Sequence, residues 1–80
     1  KSSNQIELLP NPAQDFVEIK VEDYARYSIE LFDLNGRLLK TDNAFDSSIK
    51  LDLSQIDKGA YVILIKNNNQ IIGHKKLIKE

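Results

Sequence analysis

The 80 residues carry eleven Lys and Arg against twelve Asp and Glu, with 41% hydrophobic and 29% charged side chains. This is the composition of one small globular domain, and its formal net charge of −1 excludes the basic field that whole-domain nucleic-acid binding requires. There is no Cys, so disulfides and thiolate metal sites are excluded, and no apolar run approaches a membrane span.

Lys1-Ser2-Ser3-Asn4-Gln5 lacks the apolar core of a signal peptide and reads as the end of a linker, leaving one domain over residues 6–80. Ile6-Glu7-Leu8-Leu9 is a short strand that ends at Pro10-Asn11-Pro12, where two prolines fix two φ angles and remove two donors. Phe16 to Val21 alternates, with Val17, Ile19 and Val21 on one face, as a half-buried strand does. Glu22 to Arg26 is a polar connection. Tyr27 to Asp33 alternates again, with Tyr27, Ile29 and Leu31 toward the core. Asn35-Gly36 predicts a hairpin through a type I′ turn, which requires two positive φ angles, leading into Arg37-Leu38-Leu39-Lys40.

Thr41 to Ser48 is polar apart from Ala44 and Phe45, and Ile49 to Leu53 is another alternating strand. Ser54 to Gly59 reads as one helical turn, with Ser54 as its cap, Asp57 as the capping-box acid and Gly59 as a left-handed exit. Tyr61 to Ile65 is apolar on both faces, which predicts a central strand covered on both sides. Asn67-Asn68-Asn69 is a turn, and Gln70 to Lys79 is the terminal strand. About seven short strands with regular turn signals predict an antiparallel, immunoglobulin-like β-sandwich. Val17, Ile19, Ile29, Leu31, Leu51, Leu53, Tyr61 and Ile63 are its expected core.

The chemistry available is thin. One His, at position 74, sits in the terminal strand as a solvated residue, so nucleophilic and metal constellations have a single imidazole to draw on. Asp33-Leu34-Asn35-Gly36 shares part of a calcium-loop pattern, but that register puts Leu31 and Leu39 at ligand positions. The three glycines are spread apart and form no phosphate loop. The sequence argues against an enzyme and implies no cofactor. Lys75, Lys76 and Lys79 read as charges that keep a terminal edge strand from pairing with other chains.

The order of these motifs resembles the type A C-terminal sorting domains of the type IX, or Por, secretion system. Leu8-Leu9-Pro10-Asn11-Pro12-Ala13 with Asp15, Val17 and Ile19 resembles the family's opening, with Leu9 where an aromatic is common. Ile29 to Arg37, with its Asn35-Gly36 turn, resembles the second motif, and Asp52 to Tyr61, with Gly59, the third. Gly73-His74-Lys75-Lys76-Leu77-Ile78-Lys79 resembles the Lys-rich terminal strand. The resemblance implies a non-catalytic export signal on a larger cargo from a Bacteroidetes-type bacterium. Its partners would be the outer-membrane translocon, a shuttle protein, a sortase-like peptidase and the upstream cargo domain on the same chain. Cargo passes through the periplasm to the cell surface or beyond, with a cut near or upstream of Lys1 to Gln5. Gly73, Lys75, Lys76, Leu77, Ile78 and Lys79 are by resemblance the residues the translocon recognises. Pro10, Asn11, Pro12, Asn35, Gly36, Gly59 and Tyr61 are the structural motif. The alternative is an Ig-like structural or carbohydrate-binding accessory module of an extracellular protein, for which the aromatics matter. Three Tyr and three Phe fall mostly at alternating positions that a small core needs.

Overall fold

The computed structural model describes residues 6–22 and 26–80, so the linker expected at Lys1 to Gln5 and the middle of the Glu22 to Arg26 connection lie outside the described residues. Seven strands run in chain order: β1 (Ile6–Leu9), β2 (Phe16–Val21), β3 (Tyr27–Asp33), β4 (Leu38–Ala44), β5 (Ser48–Asp52), β6 (Gly59–Asn67) and β7 (Gln70–Lys79). They form a three-stranded sheet in the order β1-β2-β5 and a four-stranded sheet in the order β4-β3-β6-β7. Every strand pairing is antiparallel. The two sheets pack as a sandwich, and there is no helix among the described residues.

The core is the sum of the period-two faces. All eight residues expected there are buried, joined by Ile6, Leu8, Ala13, Val21, Tyr27, Ala44, Ile65 and Leu77. One face of each strand must be hidden, and the alternation decides which. The phenylalanines depart from this rule. Phe16 and Phe45 are 42% and 71% exposed and Phe32 is half-buried on the outer face, so two tyrosines, Tyr27 and Tyr61, supply the aromatic core. Phe16 leads β2 on its outward parity, where the Lys50 ammonium lies 4.8 Å from its ring centre.

Turn geometry corrects three sequence expectations. The β3–β4 hairpin has a three-residue loop: the Gly36 N–H donates to the Asp33 carbonyl, the Asp33 N–H to the Arg37 carbonyl, and Gly36 takes φ +86°. Asn35 is not at positive φ, so the turn is of the type I kind followed by a left-handed Gly, not type I′. The Asp33 carboxylate selects this form by accepting from the Asn35 and Arg37 N–H groups, both at 2.9 Å. The pair of positive φ angles expected there occurs at Asn68 and Asn69, at 52° and 67°, in the two-residue β6–β7 turn.

The segment Ser54 to Gly59 is not helical. A single turn closes from the Ile56 N–H to the Leu53 carbonyl, and the side chain that accepts a backbone N–H here is the Asp52 carboxylate, which takes that of Ser54. Gly59 has φ +151°, an extended positive-φ conformation and not a left-handed helix exit. The polar stretch after Lys40 is strand as far as Ala44, because β4 is an edge with both faces largely in water.

Candidate functional site

The terminal strand β7 lies at the edge of the four-stranded sheet, beside β6. Its register against β6 sorts the residues expected to carry recognition. Gly73, Lys75, Leu77 and Lys79 pair with Ile65, Ile63, Tyr61 and Gly59; the first three of those partners point into the core. His74, Lys76 and Ile78 pair with Leu64, Val62 and Ala60 on the outer face. The sequence groups Lys75, Lys76 and Lys79 as one set of edge charges. Instead the lysines are divided: Lys75 shares the inner parity with Leu77, and Lys76 lies on the opposite face.

Lys75 escapes burial because four strands are wider than three. At about 4.8 Å per strand, the smaller sheet cannot cover the whole inner face of the larger. One inner row runs Lys40, Leu31, Ile63, Lys75, apolar in the middle with a lysine at each uncovered end. Lys40 folds inward, its ammonium donating to the Asp52 carbonyl at 2.6 Å. Leu77 is fully buried and belongs to the core, and truncating such a side chain costs about 2–5 kcal/mol. Gly73 lies under β1: a Cβ placed there would meet Ile6 Cδ1 at 2.7 Å.

The Pro10-Asn11-Pro12 motif reaches the same strand. Both prolines and Asn11 are exposed, and the segment runs along the free edge of β7. The Asn11 amide donates to the Lys76 carbonyl and accepts from the Ile78 N–H, both at 3.1 Å. Ala13 continues the contact: its N–H donates to the Ile78 carbonyl and its carbonyl accepts from the Glu80 N–H, each at 2.7 Å. Ala13 forms a parallel bridge with Lys79. The edge that the terminal lysines were expected to guard is therefore closed by the chain itself from Lys76 to Glu80. Spacing alone gave no sign of this, since Asn11 and Ile78 are 67 positions apart.

The remaining motif residues hold turns. Asn35 and Gly36 form the exposed β3–β4 loop described above, and the Tyr61 hydroxyl, buried beneath Gly59, donates to the Asp57 carbonyl. Tyr27 links the sheets, its hydroxyl donating to the Ser47 and Ile19 carbonyls at 3.0 and 3.3 Å. Burial, aided by the charges of Asp46 and Glu18, pushes the Tyr27 phenol up to about 12. Asp33 is held below its ordinary value of 3.8, first by the Arg37 backbone N–H; Asp52 is lowered likewise, first by the Ser54 backbone N–H.

Among the described residues no group of three or more His, Asp or Glu is placed to hold a metal ion. Among the described residues the two exposed aromatics, Phe16 and Phe45, do not form a platform either. Phe16 opens β2 and Phe45 precedes Ser47, whose carbonyl accepts from Val21 at the other end of β2.

The comparisons bear on this arrangement. The family model described as "Secretion system C-terminal sorting domain" matches residues 7–80, from β1 through β7. The chain is also 30% identical over 70 residues to the ulvan lyase NLR42 of Nonlabens ulvanivorans. That alignment covers 86% of this chain and 13% of the lyase, so the chain spans a small part of its relative's length.

Proposed function

The chain belongs to the type IX secretion C-terminal sorting domain family, and on that premise we propose how it acts as an export signal. It is a folded tag with no chemistry of its own, attached to a larger cargo. The outer-membrane translocon and a shuttle protein recognise the folded sandwich in the periplasm. A sortase-like peptidase then removes it at the cell surface, near or upstream of Lys1 to Gln5. Recognition centres on β7 and its surroundings, with Lys75 and Lys76 as the exposed members of the expected set, Ile78 and Lys79 half-buried beside them, and Leu77 and Gly73 as the residues that hold the strand in place.

The observation that carries this reading is the extent of the family match. It takes in both sheets and the whole terminal strand, so what is shared is the complete sandwich rather than one motif. A larger relative that carries the matching segment as a small fraction of its length supports an upstream cargo here.

The test is a fusion of these residues behind a signal peptide and a fluorescent reporter, expressed in a type IX-competent strain. The expected result is reporter outside the cell. Retention of the folded fusion in the periplasm would overturn the reading.

A further inference from the structure

The two outer faces of the sandwich differ. The outer face of the three-stranded sheet is crossed by Glu7, Glu18, Lys20, Lys50 and Asp52, with Leu9 and Phe16 among them at one end and the Lys50 ammonium over the Phe16 ring. The four-stranded sheet has a longer apolar run through its middle. One of its outer rows runs Leu38, Phe32, Val62, ending on Lys76, and Ala60 paired with Ile78 extends it. Leu38 is 47% exposed, and Phe32, Val62 and Ile78 are half-buried, with no second sheet above them among the described residues. The sequence had implied a cover over β6 on both sides; this domain provides one on the inner side alone.

We propose that this outer face is the docking surface of the tag, and that its occupant is a partner protein surface with an apolar centre flanked by carboxylates. The proposal rests on the export reading above. Contiguous apolar surface on a small domain marks interaction. The charge at its rim selects the partner. Lys76 ends the apolar row on the β7 side as its one formal charge, and Glu30, the acid of the neighbouring row, is already matched by Lys66 at 3.5 Å. Edge pairing is an inadequate substitute, because Asn11 and Ala13 occupy the backbone of Lys76, Ile78 and Glu80. The side chains of Lys76 and Ile78 remain displayed on the face while their backbone is engaged.

The export fusion provides the test. Lys76→Glu and Val62→Lys should melt close to the unsubstituted domain and lower reporter in the medium about tenfold or more, the first by setting like charges against each other and the second by pressing an unpaired charge onto an apolar centre. Lys20→Glu and Glu18→Lys, on the opposite outer face, should export normally, and Lys76→Arg should keep the export that Lys76→Glu loses. Lys76 is exposed, so Lys76→Glu folds even where Val62→Lys does not. Normal export of folded Lys76→Glu and Val62→Lys overturns the docking face while leaving the export reading intact. Retention of the unsubstituted fusion overturns the export reading and the face together. Sedimentation of the isolated domain as a dimer that Val62→Lys dissociates would instead make a second copy the occupant and overturn the carboxylate-flanked partner.

Discussion

The side-chain oxygen of Asn11 accepts the backbone N–H of Ile78 at 3.1 Å, while its nitrogen donates to the Lys76 carbonyl, so one amide stands in for a strand along the β7 edge. Asparagine alone offers both a donor and an acceptor at this reach. Asn11→Ala should cost about 1 kcal/mol, the ordinary net value of such bonds at a site water can reach. Asn11→Asp should cost more, since its second oxygen would face the Lys76 carbonyl. Urea denaturation gives the ranking, and hydrogen exchange of the Ile78 amide should accelerate in both variants.

A second expectation concerns Gly73. A Cβ there would meet Ile6 Cδ1 at 2.7 Å, but that methyl is the end of a side chain that can turn. Gly73→Ala should therefore cost about 1 kcal/mol, the low end for overpacking. Combining it with Ile6→Val, which removes the methyl, should give a double variant no less stable than Ile6→Val alone. Thermal melts of the two single variants and the double measure this coupling, and additive losses would show that the contact is not the reason for the glycine.

The two hairpin turns respond differently to substitution. Gly36 sits at φ +86°, so Gly36→Ala should lose about 1 kcal/mol, whereas Asn35→Ala should be nearly neutral. Asn68 and Asn69 both hold positive φ, so alanine at either should destabilise and glycine at either should be tolerated. Equal losses for Asn35→Ala and Gly36→Ala would favour the type I′ geometry instead.

Stability should fall at both ends of the pH scale, for different groups. The Tyr27 phenol is raised from 10.0 to about 12, so the folded state holds its proton more tightly than the unfolded. That contribution is complete below pH 10.0 and is lost as pH rises through about 12. Asp33 and Asp52 are lowered from 3.8, so their contribution is present above that value and is lost as pH falls below it. Tyr27→Phe should flatten the alkaline limb and Asp33→Asn the acid limb of a melting curve measured against pH.

Most of the sandwich could be read from the chain because a strand with one wet face writes its period into the sequence. Val17, Ile19, Ile29, Leu31 and Ile63 all face inward as their alternation required. The turns were less legible. Asn35-Gly36 satisfies two loop geometries, and the choice fell to the Asp33 carboxylate, whose hydrogen bonds are a three-dimensional fact. The capping residues Ser54 and Asp57 resembled a helix start, but a turn of so few residues has too little to gain from helix formation. Lys75 and Lys76 looked like one cationic patch and lie on opposite sides of the sheet, since neighbours in a strand always do. The apolar outer side of β6 was legible in the sequence but was read as covered within the domain, because a strand covered on both faces and one covered on a single face can carry the same residues.

The clasp of Ala13 on Ile78 and Glu80 also sets an order of events. It joins the chain before β2 to the far end of β7, so it forms only after both sheets have met. Contacts of such separation come late in folding, when local hairpins such as β6–β7 already exist. An unfolded tail contains Lys76 and Ile78 but not their shared face with Val62 and Phe32. The clasp, unlike the β6–β7 hairpin, is a mark of the finished fold, present only once the chain ahead of β2 has reached the end of β7.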